Sequence, residues 1–338
     1  MFLHGDAATN SDRYNMKPAF SVIFLTTLLG AGQGLFLALF THQSYSLFGL
    51  LPMQSDVFYG YGSVMVLVLL AGGLVASFFH LGRPERAWRS ATQWRTSWLS
   101  REVIVLPAFM GVVFLYGIAH ILGYKPEVAS LPTGLIIDLT AVLGIIGTIL
   151  AFALFVCTGM IYACLRFIRE WHTPLTVINY VLMGGSSGFI LAAFYSAKMA
   201  SSQSGFFSGW AIIITLLAFV GRAISLVRNA HLKPKSTIQT AIGIKHPKIT
   251  QRSMGAMGGS FNTREFFHGK SQTFMRMIKP IFLLLSFMIP LALLALGMHT
   301  PLLLGIAFVL QYLGLLAERW FFFAQANHPQ NLYYQTIG

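Results

Sequence analysis

Eight uninterrupted apolar runs, each long enough to cross a hydrocarbon core roughly 30 Å thick, take up about half of this chain. They fall at 19–40, 59–80, 103–123, 136–165, 177–198, 209–228, 278–298 and 302–323. Little is left for a water-soluble domain, and the composition agrees. Charged residues make up 10% of the 338 positions, against roughly 25% in soluble globular domains. The expected fold is therefore all-α: a polytopic membrane protein built as a bundle of eight transmembrane helices. A polar segment (1–18) precedes the membrane domain (19–323), and a short tail (324–338) follows it. The first run is longer than a signal-peptide core and no A-x-A-like site follows it, so it reads as a retained helix. The patterned sequence begins at Met16.

A net charge of +13 would suggest nucleic acid in a soluble protein. Its distribution points elsewhere. With eight crossings, twenty-one of the 23 Lys and Arg residues fall on the side that holds both termini, and only Lys125 and Lys198 fall on the other. That is the positive-inside pattern, so both termini and the basic connections 81–102 and 229–277 are expected in the cytoplasm, with no nucleic-acid partner. Basic residues that dock a partner subunit would add to the same bias.

Cys157 and Cys164 lie seven residues apart in one run, too far apart on a helix to bridge and too few to hold an iron-sulfur cluster. They read as small core residues. The glycine clusters Gly30-Ala31-Gly32-Gln33-Gly34 and Gly184-Gly185-Ser186-Ser187-Gly188 lie inside apolar runs with no strand before them. They suit close helix packing rather than a phosphate cradle.

An ionisable group within a membrane span is costly and is a functional candidate by default. The candidates are His80, Glu102, His120, Asp138, Arg222 and the pair Glu318-Arg319. Of these His80, Glu102, Arg222 and Glu318-Arg319 gather by depth at the basic side. His80 ends the second span and Glu102 opens the third, at similar depth on consecutive antiparallel helices. A quinone head group needs a hydrogen-bond partner at each carbonyl, and its two-electron reduction needs two protons. An imidazole and a carboxylate at the membrane edge meet both needs. A bis-histidine haem is poorly served, because His80 and His120 are separated by about 26 Å of helix and no other histidine falls within the runs as bounded, which leaves only His80 with His172, near a helix end, as a remote pair. No metal ligands and no catalytic group for covalent chemistry emerge.

The connection between these two residues carries Arg83, Arg86, Arg89, Arg95 and Arg101 among Trp88, Trp94 and Trp98. It reads as an interfacial segment whose basic face meets water, lipid phosphate or another protein. The longer connection mixes Lys245, Lys248, Arg252 and Arg264 with Gly, Ser and aromatic residues. It is expected to dock an acidic soluble partner, with disorder as the alternative.

His80-Leu81-Gly82-Arg83-Pro84, with Trp98-Leu99-Ser100-Arg101-Glu102, resembles the signature of the dimethyl sulfoxide reductase anchor family, the membrane subunits of three-subunit molybdenum oxidoreductases. The match extends to Glu318-Arg319-Trp320-Phe321-Phe322-Phe323 and Asn331-Leu332-Tyr333-Tyr334. The resemblance implies an anchor that exchanges electrons between membrane quinone (ubiquinone or menaquinone) and an iron-sulfur subunit. The iron-sulfur subunit is in turn joined to a catalytic subunit that holds molybdopterin guanine dinucleotide. The resemblance also implies that His80 and Glu102 are the quinone-site residues; Arg83 or Arg101 is expected beside them, stabilising the half-reduced ring or a carboxylate. Within the family, Lys17-Pro18-Ala19-Phe20-Ser21-Val22-Ile23-Phe24 and the stretch from Gln251-Arg252-Ser253 to Thr263-Arg264-Glu265 are most similar to anchors of cytoplasmic sulfite dehydrogenases. The charge bias, which puts the His80 loop in the cytoplasm of a bacterial inner membrane, favours that branch over the alternative, an anchor oxidising menaquinol for a periplasmic dimethyl sulfoxide reductase. A transporter, the reading from another class, would need ionisable groups and broken helices near the bilayer midplane.

Overall fold

In the computed structural model, the described residues are 20–79, 81, 83–130, 136–199, 201–233, 237–249 and 272–326. His80, Arg252, Arg264 and the tail beyond residue 326 lie outside them. The helices are α1 (Phe20–Leu47), α2 (Asp56–Phe78), α3 (Trp98–Ile121), α4 (Leu139–Ala163), α5 (Pro174–Met199), α6 (Ser204–Ala230), the short α7 (Ile238–Ile242), α8 (Gln272–Leu283), α9 (Ile289–Leu296) and α10 (Pro301–Ala324). A π-helical turn, Leu284–Met288, joins α8 and α9 into one crossing element. Among the described residues, eight helical elements are long and apolar enough to span a membrane.

Local chemistry sets the helix ends. Ser55, Ser97 and Asp138 accept from backbone N–H groups of the first turns of α2, α3 and α4, satisfying donors that a helix start leaves free. Gly49 and Gly123 take φ of +71° and +63° just past α1 and α3, the left-handed stop that glycine alone adopts cheaply. The connection after Gly123 contains a small antiparallel pair that the apolar pattern does not announce, β1 (Glu127–Ser130) and β2 (Ile136–Asp138). Residues 136–138 therefore precede the fourth span rather than opening it, and Asp138 is its cap.

The bundle is organised around α1 and α5, which are buried along most of their length, while the other spans each keep a lipid-facing side. That side is aliphatic, as at Val64, Val68 and Val75 of α2, Ile145 and Ile149 of α4, and Ile213, Leu217 and Ile224 of α6. In water such a surface would be an aggregation liability; in lipid it costs nothing. The central pair touches backbone to backbone. A Cβ added at Gly188 would lie 2.0 Å from the Gly34 carbonyl carbon, and one added at Gly34 would lie 2.2 Å from the Gly184 oxygen. The glycines are thus packing residues, as their position inside apolar runs implies. Gly188→Ala is expected to destabilise by at least the roughly 1–3 kcal/mol of an overpacked core, because backbone rather than a flexible side chain must give way. A lowered thermal midpoint of the detergent-solubilised protein checks this.

The π turn sits where α10 presses on this element. Pro290 removes one ladder donor from α9, and a Cβ at Gly314 would lie 2.5 Å from the Ser286 backbone nitrogen. Of the two cysteines, Cys157 is buried and Cys164, which caps α4, is exposed.

Candidate functional site

Glu102 lies in the second turn of α3, and only 7% of its surface is exposed. Its carboxylate accepts a hydrogen bond from the Thr158 hydroxyl of α4 at 2.5 Å. The neighbouring Arg101 points the other way. It donates to the backbone carbonyls of Trp94 (2.9 Å) and Arg95 (2.8 Å) and stacks over the Trp98 ring at 4.2 Å. Arg101 therefore ties the interfacial connection to the start of α3. That connection contains a 3-10 helix, Pro84–Ala91, and its remaining arginines are solvent-facing. Arg83 is exposed, Arg86 approaches Glu85 at 4.0 Å, and Arg89 and Arg95 lie over Trp88 and Trp94 at 5.6 and 5.3 Å. Lys245 and Lys248 are likewise exposed. The apolar Phe78 and Phe79 at the end of α2, the helix before the connection, are exposed.

Deeper at the same end, the other candidates form one cluster. Arg222 Nε lies 2.8 Å from Glu318 Oε1, and Arg319 Nε lies 3.3 Å from Glu318 Oε2. All three are almost fully buried, with Glu318 at 0% exposure. The Arg319 guanidinium sits 3.8 Å over the Tyr180 ring, and Tyr180 stacks on Tyr162 with centroids 5.9 Å apart. Two guanidinium groups against one carboxylate leave an excess positive charge in the protein interior. The only other buried acid on this side among the described residues is Glu102, within electrostatic range of both Tyr162 and Tyr180. Residues 320–324 bury around this cluster, and the Trp171 indole N–H donates to the Phe322 carbonyl at 3.0 Å. Depth in the sequence predicted the grouping of Arg222, Glu318 and Arg319; Glu102 stands apart from their contacts.

The opposite end holds a second polar network, part of which the apolar runs hide. α1 continues past residue 40 to Leu47, which places His42 inside the first span, fully buried. The expectation that no further histidine lies in a span is therefore corrected. His42 meets the Tyr59 hydroxyl at Nδ1 (2.9 Å) and Gln203 Oε1 at Nε2 (3.3 Å). His120 Nδ1 meets Asp56 at 2.9 Å, and Lys125 pairs with the same carboxylate. Tyr116 donates to Gln43, Gln43 to Thr140 and Thr140 to Asp138. His42 and His120 share a depth, yet the Tyr59 ring stands between them at 6.2 and 4.8 Å, and Phe58 and Phe207 close the space beside His42. A haem would need the volume those rings fill. The signal for His42 was present in the position of the helix stop: Gly49, not the polar Thr41-His42-Gln43-Ser44, ends α1. Among the described residues, no three His, Cys, Asp or Glu side chains converge on a metal-sized space.

The profile of the DMSO reductase anchor subunit (DmsC) family matches residues 15–324. The chain belongs to that family. A sulfite dehydrogenase subunit of Allochromatium vinosum is 56% identical over 328 residues, covering 96% of this chain and all of that protein. Anaerobic dimethyl sulfoxide reductase chain YnfH of Escherichia coli is 27% identical over 165 residues, about half of each chain (48% and 52%). The chain is thus a multi-pass membrane anchor of the DMSO reductase type, close in sequence to that sulfite dehydrogenase subunit.

Proposed function

We propose that this anchor subunit passes electrons between an iron-sulfur partner and membrane quinone, and that it does so in the oxidation of sulfite to sulfate by a molybdopterin catalytic subunit. The observation that carries the reading is Glu102: a buried carboxylate near the start of a membrane-spanning helix with one hydroxyl partner. That setting fits a quinone, whose ring oxygens need a group that can give and take a proton. Quinone supplies the electron-accepting ring, taking two electrons and two protons as it becomes quinol. The chain's own residues do the rest. Glu102, held by Thr158, moves a proton at its carboxyl. His80, at the end of α2 by sequence, hydrogen-bonds the ring's other side. Arg101 keeps the connection folded over the site, and Arg83 at the exposed start of the 3-10 helix supplies positive charge near the ring.

The partner surface draws on the exposed basic residues of the two connections, Arg86, Arg89 and Arg95 in one and Lys245 and Lys248 in the other, with Arg252 and Arg264 assigned to it by sequence alone. We place this face, and both termini, in the bacterial cytoplasm on the strength of the charge asymmetry. Sulfite as the electron source rests on the relative at 56% identity; the match to the dimethyl sulfoxide reductase chain covers half the length and supports only the family. Co-purification in mild detergent tests the assignment. A molybdopterin polypeptide without a twin-arginine signal, together with an iron-sulfur subunit, is the expected result. A twin-arginine signal on that partner would reverse the orientation and favour menaquinol oxidation for a periplasmic reductase. The triple change Arg86→Glu, Arg89→Glu, Arg95→Glu is expected to weaken this association on the order of tenfold or more and to remove most of its dependence on ionic strength. Titration of solubilised anchor with its iron-sulfur subunit at two salt concentrations checks both.

A further inference from the structure

Glu102 is sealed from water, yet a carboxylate that hands protons to quinone must be recharged after each turnover. Two small cavities with polar groups in their linings lie on the inner side of the site. The first, about 20 Å3, is lined by Thr26, Thr27, Gln33, Thr158, Tyr180 and Arg319 among apolar residues. Thr158, the residue whose hydroxyl donates to Glu102, is thus part of its lining. The second, about 10 Å3, is lined by Thr176, Asn179, Arg222, Ser225, Glu318 and Arg319, and reaches Glu170 and Asn229 at its outer end. Arg319 and Met183 line both. A cavity needs roughly 10–15 Å3 and two to four polar partners to hold one water, which the first exceeds and the second just reaches. Two lining groups point to such occupancy. Gln33 Oε1 and Asn179 Oδ1 are buried acceptors with no hydrogen-bond partner among the described residues, and an unmet buried acceptor costs about 1–3 kcal/mol. Asn179 Nδ2 donates to Ser225 Oγ at 2.7 Å, which continues the polar lining along α6.

Glu170 and Asn229 are half-buried and belong to the connection after α4 and the end of α6, the same end of the bundle as Glu102. The network around His42, Tyr59 and His120 is not joined to this system. The tightly packed Leu35, Phe36, Phe109 and Leu154 and the Gly34–Gly188 contact fill the interior between them.

We infer that the chain contains a proton path from the aqueous face at Glu170 and Asn229 to Glu102, running through the two cavities by way of Asn179, Ser225, Arg319, Gln33 and Thr158. The inference rests on the quinone site proposed above. Each quinone that takes two electrons from the soluble subunits draws its two protons through this path, from the face at which those subunits dock. Arg319 is its fixed positive point, where water or a hydroxyl passes a proton and the guanidinium stays charged. Asn179 and Thr158 are positioning residues: they hold the chain of donors and acceptors continuous.

The test uses the purified complex with its soluble subunits, reduced by methyl viologen and given a water-soluble quinone analogue. Proton uptake is followed with an indicator dye in weak buffer, beside the analogue's affinity. Asn179→Leu is expected to leave affinity unchanged and to slow proton uptake and quinone reduction together on the order of tenfold, the change that a barrier increase of about 1.4 kcal/mol gives. Asn179→Ser, or a small permeant weak acid added to Asn179→Leu, restores both rates. Ser225→Ala, which removes the hydroxyl that accepts from Asn179, gives the same defect with affinity unchanged should the first variant not fold. Wild-type rates in both Asn179→Leu and Ser225→Ala, or a slowing that no weak acid restores, overturn the path. A failure of the quinone site is distinguishable, because it shows as a rate of quinone reduction that Glu102→Gln does not change.

Discussion

Complexes carrying Glu102→Gln assemble with their soluble subunits at normal stoichiometry but reduce quinone on the order of a hundredfold to a thousandfold more slowly, the range that removal of a general acid–base group gives. The substitution isolates the chemistry. The glutamine carbonyl still accepts from the Thr158 hydroxyl, so the α3–α4 contact persists, and no volume is lost from the packed start of α3. What is lost is the proton that the carboxyl carries. Because the buried acid becomes neutral, the substitution also relieves any cost of burying its charge, and the folded protein is no less stable. His80→Ala is expected to lower quinone reduction as well, with assembly intact; normal turnover in that variant would remove His80 from the site. Steady-state reduction of a quinone analogue by the complex, beside electron transfer to a dye that takes electrons directly from the soluble subunits, separates a defective quinone site from a defective electron supply.

The second large effect is on folding. Glu318 is the sole acid in contact with Arg222 and Arg319 among the described residues, at 2.8 and 3.3 Å, and it is completely buried. Glu318→Ala leaves two guanidinium groups facing each other in the interior. Breaking a buried pair by removing one partner costs about 3–5 kcal/mol, a large share of the stability of any domain. The expected result is a sharp fall in the amount of folded anchor in the membrane and in the thermal midpoint of what remains. Glu318→Gln combined with Arg222→Met restores the original excess of one positive charge, keeps Arg319 over Tyr180 and recovers most of the loss. The two changes therefore couple strongly and are not additive. An equal loss in the single and double variants would show that packing of residues 320–324, not charge, is what the cluster contributes.

The eight crossings were legible because length and apolarity are read along the chain, and each run predicts a helix within a few residues. The end of α1 was not. Thr41-His42-Gln43-Ser44 looks like a loop, yet each of these groups finds a partner: His42 in Tyr59 and Gln203, Gln43 in Thr140 and Tyr116, and Thr41 and Ser44 in carbonyls one turn back. Polar residues cease to mark a helix end once neighbouring helices satisfy them, and the sequence alone does not name the neighbours. Depth was legible for the same reason as length. Arg222 and Glu318-Arg319 share a level, and the structure brings them into contact. Azimuth was not legible: nothing in the linear pattern says that Arg101 turns to the connection before α3 while Glu102 turns inward to Thr158, although a helix sets adjacent residues about 100° apart. The cavities belong to the same class, since Gln33 and Asn179 lie on different helices and only packing aligns them.

The most direct measurement of the central claim is photolabelling of the intact complex with an azido-quinone, with the labelled peptides of the anchor mapped by mass spectrometry. Label on the end of α2 and the start of α3, including peptides that contain His80 and Glu102, and its displacement by excess unlabelled quinone, is the predicted result. Displaceable label confined to the opposite end, around His42 and Tyr59, or to the soluble subunits alone, would contradict a quinone site at Glu102.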